Sequence, residues 1–362
     1  MLISAITSLI ISMLVLDSGI IPGVFSNFLE SEVSIVEQSM PVEKNKGAVL
    51  GAKEKNDNLI NTPKEISETI IKVMENVKNK SLSKISDIYL NNEAPEEEEF
   101  SGPKRIPEAI EYEITARSGI VVDYDSGQVL FKKNIDKVMP IASITKLMTA
   151  LVWLEYNPGW ETIYEIKRED RRNGGKIYLY LGEKVAVKDL FYLSLVGSAN
   201  TATIALINST GISEQEFVDK MNNKAKELGL TKTTFSDPVG LNNNNVSTAE
   251  EISHLARKAL SFKDIRQATL TKEYEFTTQS GKNKVVYTTD NLLENFPQNG
   301  LKIIGGKTGY TEAAGYCFVG EFINKDGLSI LSVILGSESS EQRFNETRNL
   351  VEWVHESYQW DY

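Results

Sequence analysis

Ser143 and Lys146 lie three residues apart in Ser143-Ile144-Thr145-Lys146. If a helix opens at the serine, that spacing puts both side chains on the same side, one turn apart. A lysine amine has an ordinary pKa of about 10.4, too high for a base at neutral pH. Burial beside other cations disfavours the charged form and brings the value down. A Ser–Lys pair can then do what Ser–His does elsewhere. The start of a helix adds unpaired N–H groups and positive potential where an oxyanion would develop. The pattern alone is commonplace, and Ser81-Leu82-Ser83-Lys84 repeats it in a stretch that reads as solvated surface.

A second candidate is Ser198-Ala199-Asn200, between the apolar run 190–196 and a helical run at 201–207. The hydroxyl can relay a proton. The carboxamide can accept from a lysine and donate to a substrate carbonyl. Taken alone, the segment reads as a helix N-cap. The third candidate is Lys307-Thr308-Gly309, reached through Gly305-Gly306 just before a strand run. Lysine and threonine there can hold a carboxylate by charge-assisted hydrogen bonds. Gly309 removes a side chain where backbone must approach a substrate closely. In isolation this segment reads as a turn.

Few other residue types compete for the chemistry. The chain of 362 residues holds two histidines, His254 and His355, and one cysteine, Cys317. That count disfavours a Ser-His-Asp triad, a His-ligated catalytic metal, an intrachain disulfide and a Cys-rich zinc site. Both histidines read as surface or packing residues. A net charge of −11 argues against nucleic acid as a partner, since phosphate binding wants a basic face.

The elements that must position these residues begin near residue 105. Residues 119–124 and 128–131 are β-rich runs around Asp125-Ser126-Gly127, a hairpin signature. Residues 143–156 read as a helix with a narrow apolar stripe of Leu147, Ala150, Leu151 and Leu154. Helices predominate to about residue 260, with the polar tract 242–245 read as a turn. Strand runs return at 274–278 and 284–288, and again at 318–323 and 329–335 around Asp326-Gly327. A closing helix over 340–358 turns Phe344, Leu350, Val351 and Val354 inward. Strands at both ends with helices between them imply an α+β fold: a mostly antiparallel sheet, covered by helices, in which the first and last segments meet.

Three domain-level segments follow. Residues 1–25 contain an apolar run at 2–16 interrupted by Asp17, which fits a membrane anchor or a signal segment, with a buried helix as the third reading. Residues 26–104 are polar, acidic and poor in aromatics, a tether. Within it Thr62, Pro63 and Glu65 start an expected amphipathic helix at 63–80. Residues 105–362 carry all three candidate patterns and are expected to form the catalytic domain.

S-x-x-K, S-x-N and K-T-G in that order resemble the signature of penicillin-binding proteins and serine β-lactamases. Asp125-Ser126-Gly127, Pro140 through Ala150, Gly182-Glu183, Asp237-Pro238-Val239-Gly240-Leu241 and Gly306 through Tyr316 are similar to the low-molecular-mass D-alanyl-D-alanine carboxypeptidases, over about residues 112–358. The resemblance implies a β-lactamase/transpeptidase-like fold with a helical subdomain, Ser143 as nucleophile and Lys146 as base. It further implies that Ser198 returns the proton, Asn200 positions Lys146 and the substrate amide, and Lys307 and Thr308 hold the terminal carboxylate. Gly309 would allow close approach, and the N–H groups of Ser143 and Tyr310 would form the oxyanion hole. The implied substrate is a peptidoglycan stem pentapeptide, with β-lactams as inhibitors and no metal or cofactor required. Thr201 and Lys176 depart from residues usual in the family. The β-rich domain and amphipathic anchor that follow the catalytic domain in many relatives are not matched, so the N-terminal run is expected to hold the cytoplasmic membrane. Three alternatives stay open: an endopeptidase or transpeptidase acting on cross-links, a class A-like β-lactamase (for which no Glu-x-x-Leu-Asn loop lies between Thr201 and Gly306), and a non-catalytic wall-binding or penicillin-sensing module.

Overall fold

The computed structural model describes residues 102–296 and 300–360. The apolar run 2–16, the helix expected at 63–80 and the second S-x-x-K pattern lie outside the described residues. In chain order, β1 (Lys104–Arg105), β2 (Ser118–Asp123), β3 (Val129–Lys133) and β4 (Met139–Pro140) lead to helix α1 (Thr145–Glu155). The hairpin β5 (Ile163–Glu165) and β6 (Lys184–Ala186) precedes α2 (Val187–Leu195), α3 (Asn200–Asn208) and α4 (Glu214–Glu227). Next come β7 (Val246–Ser247), α5 (Ala249–Leu260), α6 (Lys263–Thr269), and the hairpin β8 (Glu273–Thr277) and β9 (Asn283–Tyr287). The chain ends with α7 (Leu292–Asn295), β10 (Lys302–Thr311), β11 (Gly315–Ile323), β12 (Ser329–Ser337), α8 (Ser340–Ser357) and β13 (Tyr358–Gln359).

The main sheet has the order β10-β11-β12-β2-β3, with every pair antiparallel. The expected meeting of first and last segments is the β12–β2 pairing, with Val333 opposite Ile120. Alternation along the strands fills two cores, because successive side chains point to opposite faces. In β12, Ile330 and Ile334 pack with Phe318, Phe322, Leu350 and Val354 on the α8 side. Leu331, Val333 and Leu335 pack with α1, α2 and α5 on the other. Helix starts are set by local chemistry. Thr248 Oγ1 accepts from Glu251 N at 3.1 Å and Ser339 Oγ from Gln342 N at 3.0 Å, caps worth about 1 kcal/mol each.

Several local readings change in the fold. Helix α1 carries no narrow stripe: Thr145 through Trp153 are all buried, while Leu154 is only half-buried. It runs through the middle of the domain with neighbours on every side, so periodicity had no polar face to report. Lys307-Thr308-Gly309 is neither a turn nor a lead-in; it lies inside β10, at the open edge of the main sheet. The strand runs at 274–278 and 284–288 do pair as read, in a two-stranded sheet of their own. β1 pairs with β13, at the border between residues 104 and 105 where tether was expected to give way to catalytic domain.

Candidate active site

The Ser143 turn is made by backbone rather than by a capping side chain. Ala142 has φ 47°, in the left-handed region that costs a non-glycine residue about 1–3 kcal/mol. The 3₁₀ turn Ala142–Ile144 then runs straight into α1. Two glycines make room for it. A Cβ on Gly240 would lie 2.0 Å from Ala142 O, and one on Gly309 would lie 2.9 Å from Ile141 O and 3.2 Å from Ser143 N. The edge strand β10 therefore passes close to the Ser143 turn at Gly309.

Lys146 is completely buried. Its Nζ is 2.8 Å from each of Ser143 Oγ, Asn200 Oδ1 and Val239 O. Asn200 Oδ1 and Val239 O can only accept, so they take two N–H groups and leave the third direction to the serine hydroxyl. A neutral amine fits that arrangement, with its lone pair toward Ser143 Oγ–H. Burial drives the Lys146 pKa well below the ordinary lysine value, the Lys307 charge lowers it further, and Asp237 opposes both. Acylation through this amine is expected to fall as pH drops through its depressed pKa, by about tenfold per pH unit below it. Stopped-flow acylation by a penicillin across pH would measure that limb.

Ser198-Ala199-Asn200 does open a helix, but the N-cap of α3 is Ala199, without a side-chain cap bond, and Asn200 turns its carboxamide inward. Its Nδ2 donates to Asn173 O at 3.0 Å and Gly174 O at 3.2 Å while Oδ1 faces Lys146. Ser198 has φ 53°, and the residue before it is wedged by β9, since a Cβ on Gly197 would meet Val286 Cγ2 at 2.4 Å. Lys307 Nζ donates to Ser198 Oγ and to Thr308 O, both at 3.0 Å. Thr308 Oγ1 shares a 2.6 Å hydrogen bond with Thr289 Oγ1. Lys307 is buried, which with the Arg343 charge lowers its pKa to about 7 against the opposing pull of Asp290. Tyr310 is exposed and stacks on Tyr316 at 4.2 Å.

Two amines, three hydroxyls and a carboxamide thus come from the start of α1, the start of α3 and β10, the places of the three sequence patterns. Residues 103–339 match the family model described as D-alanyl-D-alanine carboxypeptidase. The chain belongs to that family. It is 30% identical over 255 residues to a D-alanyl-D-alanine carboxypeptidase of Bacillus subtilis, covering 67% of this chain and 63% of that one; the chain thus spans less than two thirds of that relative. A D-alanyl-D-alanine endopeptidase of Haemophilus influenzae is 35% identical over 243 residues, covering 66% of this chain and 81% of its own. Among solved structures, a Streptomyces DD-transpeptidase superposes with TM-score 0.63 at 27% identity, over 68% of this chain and 99% of its own. The α+β architecture of this family member is that β-lactamase-like fold.

Residues to which motif reading assigned no role complete the candidate site. Asp237 Oδ1 accepts from Val239 N at 2.7 Å and Gly240 N at 2.6 Å, and Oδ2 accepts from Asn242 N. That loop aims Val239 O at Lys146. Asn245, inside the tract read as a turn, is fully buried. Its Oδ1 accepts from Ser236 N at 2.8 Å and Asp237 N at 3.0 Å; its Nδ2 donates to Asp237 O at 2.7 Å and Thr145 Oγ1 at 3.1 Å. It ties the loop to the first residue of α1. Asp237-Pro238 with Gly240 is a legible turn signal, but nothing in a polar run marks which asparagine is buried. His254 is exposed, and His355 stacks on Trp360 at 5.2 Å; neither is placed among these residues.

Proposed function

We propose that the chain is a serine D-Ala-D-Ala carboxypeptidase that trims the terminal D-alanine from peptidoglycan stem pentapeptides. The observation that carries this reading is a buried amine, Lys146, 2.8 Å from Ser143 Oγ, with its other two partners both acceptors. Ser143 Oγ attacks the carbonyl carbon between the two D-alanines as its proton passes to Lys146. The N–H groups of Ser143 and Tyr310 hold the oxyanion. Lys307 and Thr308 bind the terminal carboxylate, and Gly309 lets the substrate backbone approach. Asn200 orients Lys146 and the substrate amide. The proton returns through Ser198 to the leaving nitrogen, the C–N bond breaks, and D-alanine departs. Water then cleaves the Ser143 ester and regenerates the hydroxyl.

β-Lactams offer the same carboxylate and a strained amide, so they acylate Ser143 in this reading. A fluorescent penicillin is expected to label the wild type covalently and to leave Ser143→Ala unlabelled; a labelled alanine variant or an unlabelled wild type overturns the assignment. The endopeptidase relative of H. influenzae favours one second reading, hydrolysis of a D-alanyl cross-link by the same residues. Mass spectrometry separates the two: free D-alanine from a pentapeptide supports trimming, and cleavage of cross-linked dimers alone supports the alternative. The substrate places the reaction outside the cytoplasmic membrane, with residues 1–25 as the proposed anchor. No helix among the described residues is long and apolar enough to cross a membrane. Removal of residues 1–25 is expected to move the protein from the membrane to the soluble fraction.

A further inference from the structure

Behind the carboxylate-binding strand lies a buried acid that the proposed chemistry leaves unused. Asp290 is 3% exposed, just before α7. Its Oδ1 accepts from Leu292 N at 2.9 Å, while its Oδ2 has no hydrogen-bond partner among the described residues. A Cβ on Gly306 would come 3.2 Å from that Oδ2, so the free oxygen lies against the residue preceding Lys307. The charges of two buried cations act on the carboxyl: Lys307 in β10 and Arg343 in α8, the latter donating to Gly309 O at 3.1 Å. The Lys307 charge in turn acts on Lys146 of α1.

These positions set up a conflict of charge. Lys146 must be neutral to take a proton, whereas Lys307 must be charged to hold a carboxylate, and both are buried with the Lys307 charge acting on Lys146. Burial and Arg343 both push Lys307 toward neutrality, and Asp290 opposes them. We infer that Asp290 is a positioning residue whose carboxylate, fixed beneath Gly306, keeps Lys307 protonated so that it can bind the substrate's terminal carboxylate. The oxygen left without a hydrogen bond lies against Gly306, so the carboxylate acts on Lys307 through the strand by charge alone and not by contact. Burial raises the Asp290 pKa to about 7, with the Leu292 N–H, Arg343 and Lys307 opposing. Its carboxylate therefore forms near neutrality and strengthens its hold on Lys307 as pH rises, where the lysine would otherwise lose its proton.

The inference rests on the proposed role of Lys307, and the test separates the two. Second-order acylation by a penicillin and by its methyl ester would be measured from pH 6 to 9 in wild type, Asp290→Asn and Asp290→Ser. Removing a negative charge lowers the Lys307 pKa, so the alkaline limb for the carboxylate-bearing penicillin is expected to move down by about one pH unit, the lower end of such charge effects. The variants then acylate roughly tenfold more slowly than wild type at pH 8 and within about twofold of it at pH 6. The methyl ester, which presents no anion to Lys307, shows no such shift. A uniform loss at every pH for acid and ester alike means a structural role and overturns the inference, as does an unshifted limb. Serine leaves room for a water, so it serves if the asparagine variant folds poorly. A wild type that is not acylated at Ser143 overturns the functional reading and this inference together. A wild type that is acylated, beside variants with unshifted limbs, overturns only the role of Asp290.

Discussion

Lys146→Met is expected to lower penicillin acylation by about a thousandfold or more while leaving the domain folded. A positioned general base contributes about 10²–10⁴ in rate. Here the base has no substitute within reach, because Ser143 Oγ meets Lys146 Nζ at 2.8 Å and Val239 O only at 3.5 Å. Methionine matches the length of the stem without the amine. The loss leaves Asn200 Oδ1 and Val239 O without the donor they share, a cost of roughly 1–3 kcal/mol for each buried group. Relief from burying an ionisable amine works in the opposite direction. The two nearly offset, so the melting temperature should stay within a few degrees of wild type. Gel-based labelling with a fluorescent penicillin, beside circular dichroism melts, reads both quantities. Acylation within tenfold of wild type would remove Lys146 from the role of base.

Gly240→Ala is expected to damage stability and acylation together. Gly240 has φ 86°, which an L side chain rarely adopts, and its Cβ would lie 2.0 Å from Ala142 O and 2.9 Å from Ser143 N. Backbone cannot swing aside as a side-chain tip would. Either the Asp237 loop lifts, taking Val239 O away from Lys146, or the Ser143 turn is pushed off the edge of β10. A loss of about 3 kcal/mol is in line with steric conflict at such a position. For a domain of this size that corresponds to roughly 6–12 °C in Tm. Acylation should fall at least about a hundredfold, since a misplacement near 1 Å is enough for that. A variant with wild-type Tm would show that the turn is far more yielding than its contacts indicate.

Much of the fold was legible because it is written in local rules. The β2–β3 hairpin follows from Asp125-Ser126-Gly127, and the inward residues of α8 follow from 3.6-residue spacing. Where local rules failed, tertiary surroundings had overridden them. Helix α1 looked weakly amphipathic because every face through Trp153 is buried. Ser198-Ala199-Asn200 looked like a cap, but Asn200 spends its side chain on Lys146 and the carbonyls of Asn173 and Gly174. Asn245 was hidden in a polar run, though its four hydrogen bonds hold the loop beside Lys146.

The sequence by itself determined which residues are available for chemistry. With two histidines in the chain, a serine had to look to lysine for its base, and the spacing of Ser143 and Lys146 placed the pair on one turn. The order of the three motifs then supplied the family. What only the tertiary structure decided is the charge state those residues can hold. Burial of Lys146 and Lys307, the carbonyl of Val239, and the carboxyl of Asp290 behind β10 come from segments distant in the chain. Spacing along a chain fixes which side chains can share a helix turn. Desolvation and Coulomb interactions depend on what surrounds them in three dimensions, and on those the proposed division of roles rests, one lysine as base and the other as cation.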